Sequence, residues 1–303
     1  MDFYVILGLK MKKQQLSILI PTYNGDCRRL AAELSRQAEA IAGLSYEIVV
    51  ADDGSTDPAM VQRCQEVGAQ PHCRFIARRQ NSGRAAIRNF LASEARYQWL
   101  LFLDCDMTIT SPQFLQRYLD SDAVVAYGGY TVGTGDSSNL RYRYEKACEA
   151  QHTAEERRKR PFLHFHTCNV MISRDVMLAH PFDERFRNYG YEDVFFGKQL
   201  RQAGISISHP DNPAGFCTFE TNPRFVSKTE EGLRTLQQFQ GELRGYSQLL
   251  TLADGIHLGI VRTLIRLWHR LIGPLERRNL CGSHPNLTIF KLYKIGYYLT
   301  INN

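Results

Sequence analysis

The apolar run Leu100–Leu103 stops on two acids one residue apart, Asp104 and Asp106, with Cys105 between them. In extended backbone, residues i and i+2 face the same side, so the two carboxylates are expected to point together and Cys105 away from them. Like charges placed this way repel each other unless positive charge neutralises them. Oxygen donors suit a hard cation, and Mg2+ or Mn2+ is commonly held by one or two carboxylates with substrate phosphates completing the shell. The plain alternative is a strand that ends in two surface acids.

Three other polar clusters share this placing. Pro21, Thr22, Tyr23 and Asn24 follow the apolar LSILI; Asp52, Asp53, Gly54 and Ser55 follow YEIVVA; Asn81, Ser82, Gly83 and Arg84 follow CRFIARR. Each also has a structural explanation, since Asp-Gly makes a turn and Ser82 can cap a helix. As a site, Gly83 permits close backbone approach to a phosphate, and Arg84 or Arg88 offsets its charge.

The elements between these clusters explain why they belong together. Short apolar runs at 16–24, 46–57, 73–79 and 97–106 alternate with helical spacing at 27–41, 59–68 and 82–95. That alternation predicts βαβ units and an α/β fold, with a mainly parallel, Rossmann-like sheet flanked by helices. In such sheets ligands bind beyond the carboxyl ends of the strands, so the four polar exits converge on one edge and suit a sugar nucleotide or another phosphorylated ligand. No GxGxxG or GxxxxGK[ST] occurs, which disfavours dehydrogenase and P-loop chemistry.

The second half holds one more dense polar cluster, FDERFRNYGYEDVFFGKQLRQAG (182–204). Within it, Glu192 and Asp193 open a helix that stops at Gly204. Acids there complement the helix dipole whether or not they do chemistry.

Taken in order, LSILIPTYN, EIVVADDGSTD, NSGRAAIRN, LFLDCDM and the 182–204 segment resemble an inverting family 2 glycosyltransferase of the GT-A fold, over roughly residues 16–230. The resemblance implies that Thr22, Asp52 and Asp53 sit on the nucleobase and ribose, with Gly83, Arg84 and Asn89 near the nucleotide. Asp104 and Asp106 become the DxD motif that binds Mn2+ or Mg2+ and the donor diphosphate, with Glu192 beside a general base, Asp193. The implied donor is a nucleoside-diphosphate sugar, UDP above all, and the acceptor a glycan or lipid-linked saccharide. One departure stands out: the family often places a histidine shortly after Asp-Asn-Pro, and here Asp211-Asn212-Pro213 leads to Phe216. His209 is the substitute ligand at hand, while His164 and His166 are candidates for the acceptor pocket. Two alternatives stay open: a nucleotidyltransferase of similar α/β core, and a catalytically silent, membrane-associated sugar-nucleotide-binding protein.

The expected division is a lead-in of residues 1–15, the catalytic domain over 16–230 and a helical, basic extension over 231–303, with Met11 an alternative start. The whole net charge of +6 resides after residue 255, where seven lysines and arginines face one acid, Glu276. The segment 256–273 reads as an amphipathic helix with a cationic polar side and Trp268 on the apolar side. It is expected to lie on an anionic membrane surface or to pack on the domain. Eight scattered cysteines without metal spacing point to reduced thiols in a cytoplasmic protein, peripheral on the inner face of the cell membrane. No nucleic-acid partner is expected, because the charge is confined to the tail.

Overall fold

The computed structural model describes residues 13–301; residues 1–12, most of the expected lead-in, lie outside the described residues. Four strands, β1 (Gln15–Thr22), β2 (Ser45–Asp52), β3 (Cys73–Ala77) and β4 (Trp99–Leu103), run parallel in the order β3-β2-β1-β4. β1 and β2 are buried almost end to end, as their unbroken apolar runs require of strands covered on both faces. Five further strands follow: β5 (Met107–Ile109), β6 (Val125–Tyr127), β7 (Tyr130–Val132), β8 (Asn169–Ser173) and β9 (Ala214–Phe216). β8 joins β4 antiparallel and β6 joins β8 antiparallel, while β5, β9 and β7 form a separate small sheet. Asp104 and Asp106 therefore occupy the passage from the main sheet to the small one. Pairing of Met107 with Phe216 brings β9 alongside that passage.

The helices in chain order are α1 (Arg28–Glu39), α2 (Pro58–Gly68), α3 (Arg84–Glu94), α4 (Phe114–Leu119), α5 (Leu140–Cys148), α6 (Ala154–Lys159) and α7 (Arg174–Ala179). They continue with α8 (Glu192–Gln202), α9 (Asn222–Gln238), α10 (Gln240–Leu243), α11 (Gln248–Gly255), α12 (Gly259–Cys281) and α13 (Leu287–Ile301). Strand alternation sorts the core into two layers. Ile18, Ile20, Ile48, Leu101 and Leu103 meet Leu30 and Leu34 of α1, Val67 of α2 and Phe114 of α4. Leu19, Val49, Leu100 and Phe102 meet Ile87 and Leu91 of α3, Met177 of α7, and Phe196 and Leu200 of α8. α3 and α8, which carry candidate site residues at their N-termini, are thus fixed against the same face.

The C-terminal helices are built onto the sheet domain. α9 runs unbroken through Glu230, where the expected domain division falls. Leu233, Leu236, Phe239, Tyr298 and Leu299 share one apolar cluster with Phe186, Val194 and Phe195, so α9 and α13 belong to the core that encloses the start of α8.

α12 docks on the domain by its polar side. Arg262 donates to the carbonyls of Ala253 and Ile256 at 2.8 and 2.7 Å, Arg266 to that of Leu299 at 2.9 Å, and Arg277 pairs with Glu230 at 2.8 Å. His269 and Glu276 are buried with them. The polar side therefore faces the protein. Ile260, Leu264, Leu267, Trp268, Leu271 and Leu275, 52–70% exposed, face outward. Of the seven tail cations only Arg270, Arg278 and Lys291 are exposed.

Candidate active site

A cavity of about 450 Å3 opens where α3, α8, the Asp104–Asp106 passage and the C-terminal helices meet. Asp104 and Asp106 both line it and Cys105 does not. The expected extended segment is instead a turn between β4 and β5, closed by the Met107 amide donating to the Asp104 carbonyl at 3.1 Å, and it is this turn that brings the two carboxylates to one wall. Arg88, fully buried, donates from Nη2 to Asp104 Oδ1 at 2.6 Å. Its Nη1 stands 3.6 Å from Glu192 Oε1, and the rim residue Arg84 reaches Asp104 and Glu192 at 3.8 and 3.7 Å. Two arginines one helical turn apart thus hold two acids from different elements. Burial pushes the Asp104 carboxyl up, but Arg88 and Arg84 outweigh it and hold it below the ordinary value.

Asp106 is in the opposite condition. Burial, and then the Asp104 charge, push its carboxyl above the ordinary value, which marks a carboxylate short of positive charge. Those two carboxylates fit a hard divalent cation. Among the described residues no group of three or more His, Cys, Asp or Glu side chains gathers to hold a metal, so a cation held by this pair would take the rest of its shell from donor phosphate or water. Phe216 lines the same cavity, with the Arg141 guanidinium 4.4 Å from its ring centre. Arg141 is close enough to act on the Asp106 charge, so an arginine's charge reaches the place where the family often has a histidine.

Asp193 faces the cavity from the first turn of α8. Its Oδ2 lies 2.9 Å from His166 Nδ1, and its Oδ1 accepts from the Val194 amide at 2.7 Å. Burial raises the Asp193 carboxyl, but the His166 hydrogen bond and charge outweigh it and hold it below its ordinary value. Burial likewise lowers His166, and Asp193 outweighs that to hold the imidazole above its ordinary value. His152, 5.5 Å from the His166 ring centre, is pushed down to about 3 by burial and then by the charge of His166. Just before this pair, Tyr191 has φ +71°, a region that costs a bulky residue on the order of 1–3 kcal/mol. Tyr191 itself packs on the apolar cluster that α9 and α13 contribute to, which holds it there. Glu192 is buried behind the cavity, paired to the arginines, and does not line it.

The residues expected around the nucleotide shape the neighbouring loops. Thr22 is buried and donates to the Gly25 carbonyl at 3.1 Å; Pro21 is half-buried and Tyr23 exposed. Asn24 accepts from the amides of Thr56 and Asp57, both at 2.9 Å. Asp52 binds the Ser55 amide and hydroxyl. Asp53 accepts from the amides of Ser82 and Gly83, each at 3.0 Å, and from the Ser82 hydroxyl at 2.7 Å, fixing the entry to α3. Gly54, at φ +71°, lets this loop pass against Gln80 and Asn81. Asn81 accepts from the Gly83 amide. Gly83 has φ +90°, and a Cβ there would stand 2.5 Å from the Arg187 carbonyl oxygen, so only glycine fits.

Two expectations are corrected. Asn89 does not reach the cavity: its amide bonds Phe182 through both main-chain groups and also Glu184, bracing the segment before α8. His209 does not gather with Asp104 and Asp106: it stands outside the cavity lining, its Nε2 on the Pro161 carbonyl oxygen at 3.0 Å and its ring edge-on to Tyr127. Arg141 and Glu145 line the cavity without belonging to any motif, Tyr189 lines it from the 182–204 segment without being among the expected site residues there, and Lys294 reaches it from α13. Only the dense aromatic and basic LRYRYEK of α5 hinted at the first two.

The sequence model of Glycosyl transferase family 2 matches residues 17–179. The chain is 26% identical over 226 residues to chondroitin synthase of Escherichia coli, covering 62% of this chain and 32% of that one. It is 29% identical over 227 residues to validoxylamine A glucosyltransferase of Streptomyces hygroscopicus subsp. limoneus, covering 64% and 49%. The chain therefore spans about a third to a half of the length of these relatives. S. aureus TarS 1–349 in complex with UDP-GlcNAc superposes with a TM-score of 0.53 at 16% identity, over 95% of this chain and 90% of that one. At that identity the likeness shows the fold, an α/β architecture similar to GT-A enzymes with a helical C-terminal region. With the family model covering more than half of its residues, the chain belongs to glycosyl transferase family 2.

Proposed function

We propose that the protein transfers a sugar from a nucleoside-diphosphate sugar, a UDP-sugar, to a hydroxyl of a glycan or lipid-linked saccharide, with inversion at the anomeric carbon. The observation that carries this is one cavity lined by an oriented carboxylate, Asp193, together with the acid pair Asp104 and Asp106. The acceptor oxygen forms its bond to the anomeric carbon as the bond to the diphosphate breaks on the opposite face. The acceptor proton passes to Asp193, whose oxygens are held in place by His166 and the Val194 amide. Arg84 at the rim is placed to offset diphosphate charge. Asp104 and Asp106 would hold Mn2+ or Mg2+, which supplies positive charge to the departing group. The UDP-GlcNAc held by TarS and the glucosyltransferase relative support the donor class. In Mn2+, Asp106→Asn is expected to weaken UDP binding about 10–100-fold, as loss of metal support does, and to leave metal-free binding unchanged. Calorimetry that shows equal UDP affinity with and without Mn2+ in the wild type overturns the metal.

The membrane association rests on the outward face of α12. No helix of the described residues is long and apolar enough to cross a membrane. The exposed stripe from Ile260 to Leu275, flanked by Arg270 and Arg278 with no exposed acid on this helix, suits in-plane binding to anionic lipid on the cytoplasmic side. Replacing Leu264 and Leu271 together by glutamate is expected to weaken flotation with phosphatidylglycerol vesicles at least about tenfold, given about 1.5–3 kcal/mol per buried leucine. Undiminished flotation overturns the contact.

A further inference from the structure

A second cavity of about 600 Å3 adjoins the first. The two share Leu163, His164, Tyr246, Ser247 and Gln248, so they adjoin along one groove. Its character changes along its length. The first cavity is charged, with Asp104, Asp106, Arg84 and Asp193 on its wall. The shared neck is polar at His164, Ser247 and Gln248. Beyond it the wall is mainly apolar, with Leu252 and Ile256 of and beside α11. Leu163 and Leu252 are 37% and 58% exposed, an unusual placing for two leucines that face one groove.

The far end of this groove meets the outward stripe of α12. The Arg262 hydrogen bonds to Ala253 and Ile256 tie the start of α12 to the end of α11. Exposed Leu258 and Ile260 therefore continue from Leu252 and Ile256 toward Leu264 and Leu271. A volume of 600 Å3 lies within the range of about 300–1,000 Å3 typical of small-molecule sites. A free glycan would find no use for such leucines. An amphiphile matches each stage: its head in the polar neck beside Asp193, its chain on the leucines, and its remainder in the lipid under α12.

We propose that this groove takes the hydrocarbon chain of the acceptor, so that the acceptor is lipid-linked and is delivered from the membrane surface on which α12 lies. This rests on the glycosyltransferase reading of the first cavity and narrows its acceptor to one class. Arg160, at the groove, is placed to meet an anionic group joining head to chain.

The test uses the full chain and n-alkyl phosphates below their micelle concentrations. Ethyl, octyl and decyl phosphate are titrated by calorimetry, with UDP present and absent. Burial of methylenes at about 0.8 kcal/mol each sets an upper limit near fourfold per carbon. Decyl phosphate is therefore expected to bind at least about 100-fold tighter than ethyl phosphate, and simultaneously with UDP. Leu252 is exposed, so Leu252→Glu and Leu252→Ser should fold, as circular dichroism will show. The glutamate variant should cut the decyl-to-ethyl affinity ratio at least about tenfold, and the serine variant by less. Leu178→Glu, an exposed leucine on α7, controls for the added charge and should leave the ratio intact. A ratio near one, or competition between decyl phosphate and UDP, overturns the groove. So does a Leu252→Glu variant that loses vesicle flotation while keeping the ratio, because bilayer lipid would then be the occupant. If UDP fails to bind while the ratio stands, the donor reading fails and the groove does not.

Discussion

Asp193→Asn is expected to lower the turnover of sugar transfer by about 10²–10⁴-fold, the usual worth of a positioned general base, and to leave UDP affinity little changed. The pH dependence makes the test specific. Asp193 accepts a proton only when ionised. Its burial works against ionisation, and His166 more than offsets this, so the carboxyl stays below its ordinary value. Asp193 therefore limits the wild-type rate only in acid solution. In His166→Asn the lowering contribution is gone and burial remains, so the acid limb of kcat/KM moves upward. The reciprocal effect is on the imidazole. Against the lowering effect of burial, Asp193 leads the groups holding His166 above its ordinary value, with Glu145 and Glu192 behind it. In Asp193→Asn the His166 titration followed by NMR should move down, toward the depressed behaviour of neighbouring His152 and His164. Full transfer in Asp193→Asn sends the search for a base elsewhere, and an unmoved acid limb in His166→Asn dissolves the pair.

Particular residues show how far sequence reasoning reaches. The apolar runs of β1, β2 and β4 are legible because strands buried on both faces need them, and the order of exits follows from parallel pairing. Asp104 and Asp106 do share a wall, as strand periodicity suggests, but a turn after β4 places them there rather than an extended segment. Arg84 and Arg88 are four apart, so their common face is legible too, but their partners are not. Glu192 lies over a hundred residues away, and only packing of α8 onto α3's side of the sheet brings it within reach. Lys294 is hidden for the same reason. α12 illustrates a different limit. Periodicity divides a helix into two faces and does not say which one docks. Apolar residues usually face inward, yet here main-chain carbonyls of Ala253, Ile256 and Leu299 accept from arginines and make the polar face the buried one. His209 and Asn89 went astray because a lone polar residue carries no sign of whether a nearby backbone group will claim it.

The largest stability loss is expected from Arg88→Met. Arg88 is almost the same volume of hydrocarbon with a charge at its tip, so methionine fills much of the space and removes mainly the guanidinium. Glu192 is buried and Asp104 nearly so, at 4% and 16% side-chain exposure. Without Arg88 both would be left as poorly compensated buried charges, a condition that costs about 3–5 kcal/mol. Arg84 is no replacement. It is 44% exposed and no nearer than 3.7 Å to either acid, so Arg84→Met is expected to cost under about 1 kcal/mol. The contrast between two arginines on one helix face separates burial from charge count. Unfolding in urea should show the Arg88→Met midpoint displaced at nearly constant slope. Adding Glu192→Gln should restore part of the loss, with a coupling of about 0.5–3 kcal/mol, because the second substitution removes one stranded charge. Equal losses for the two arginine variants would mean that the paired acids are solvated rather than buried. A coupling of zero would mean that Arg88 serves Asp104 alone, leaving the link between α3 and α8 to the packing around Ile87 and Phe196.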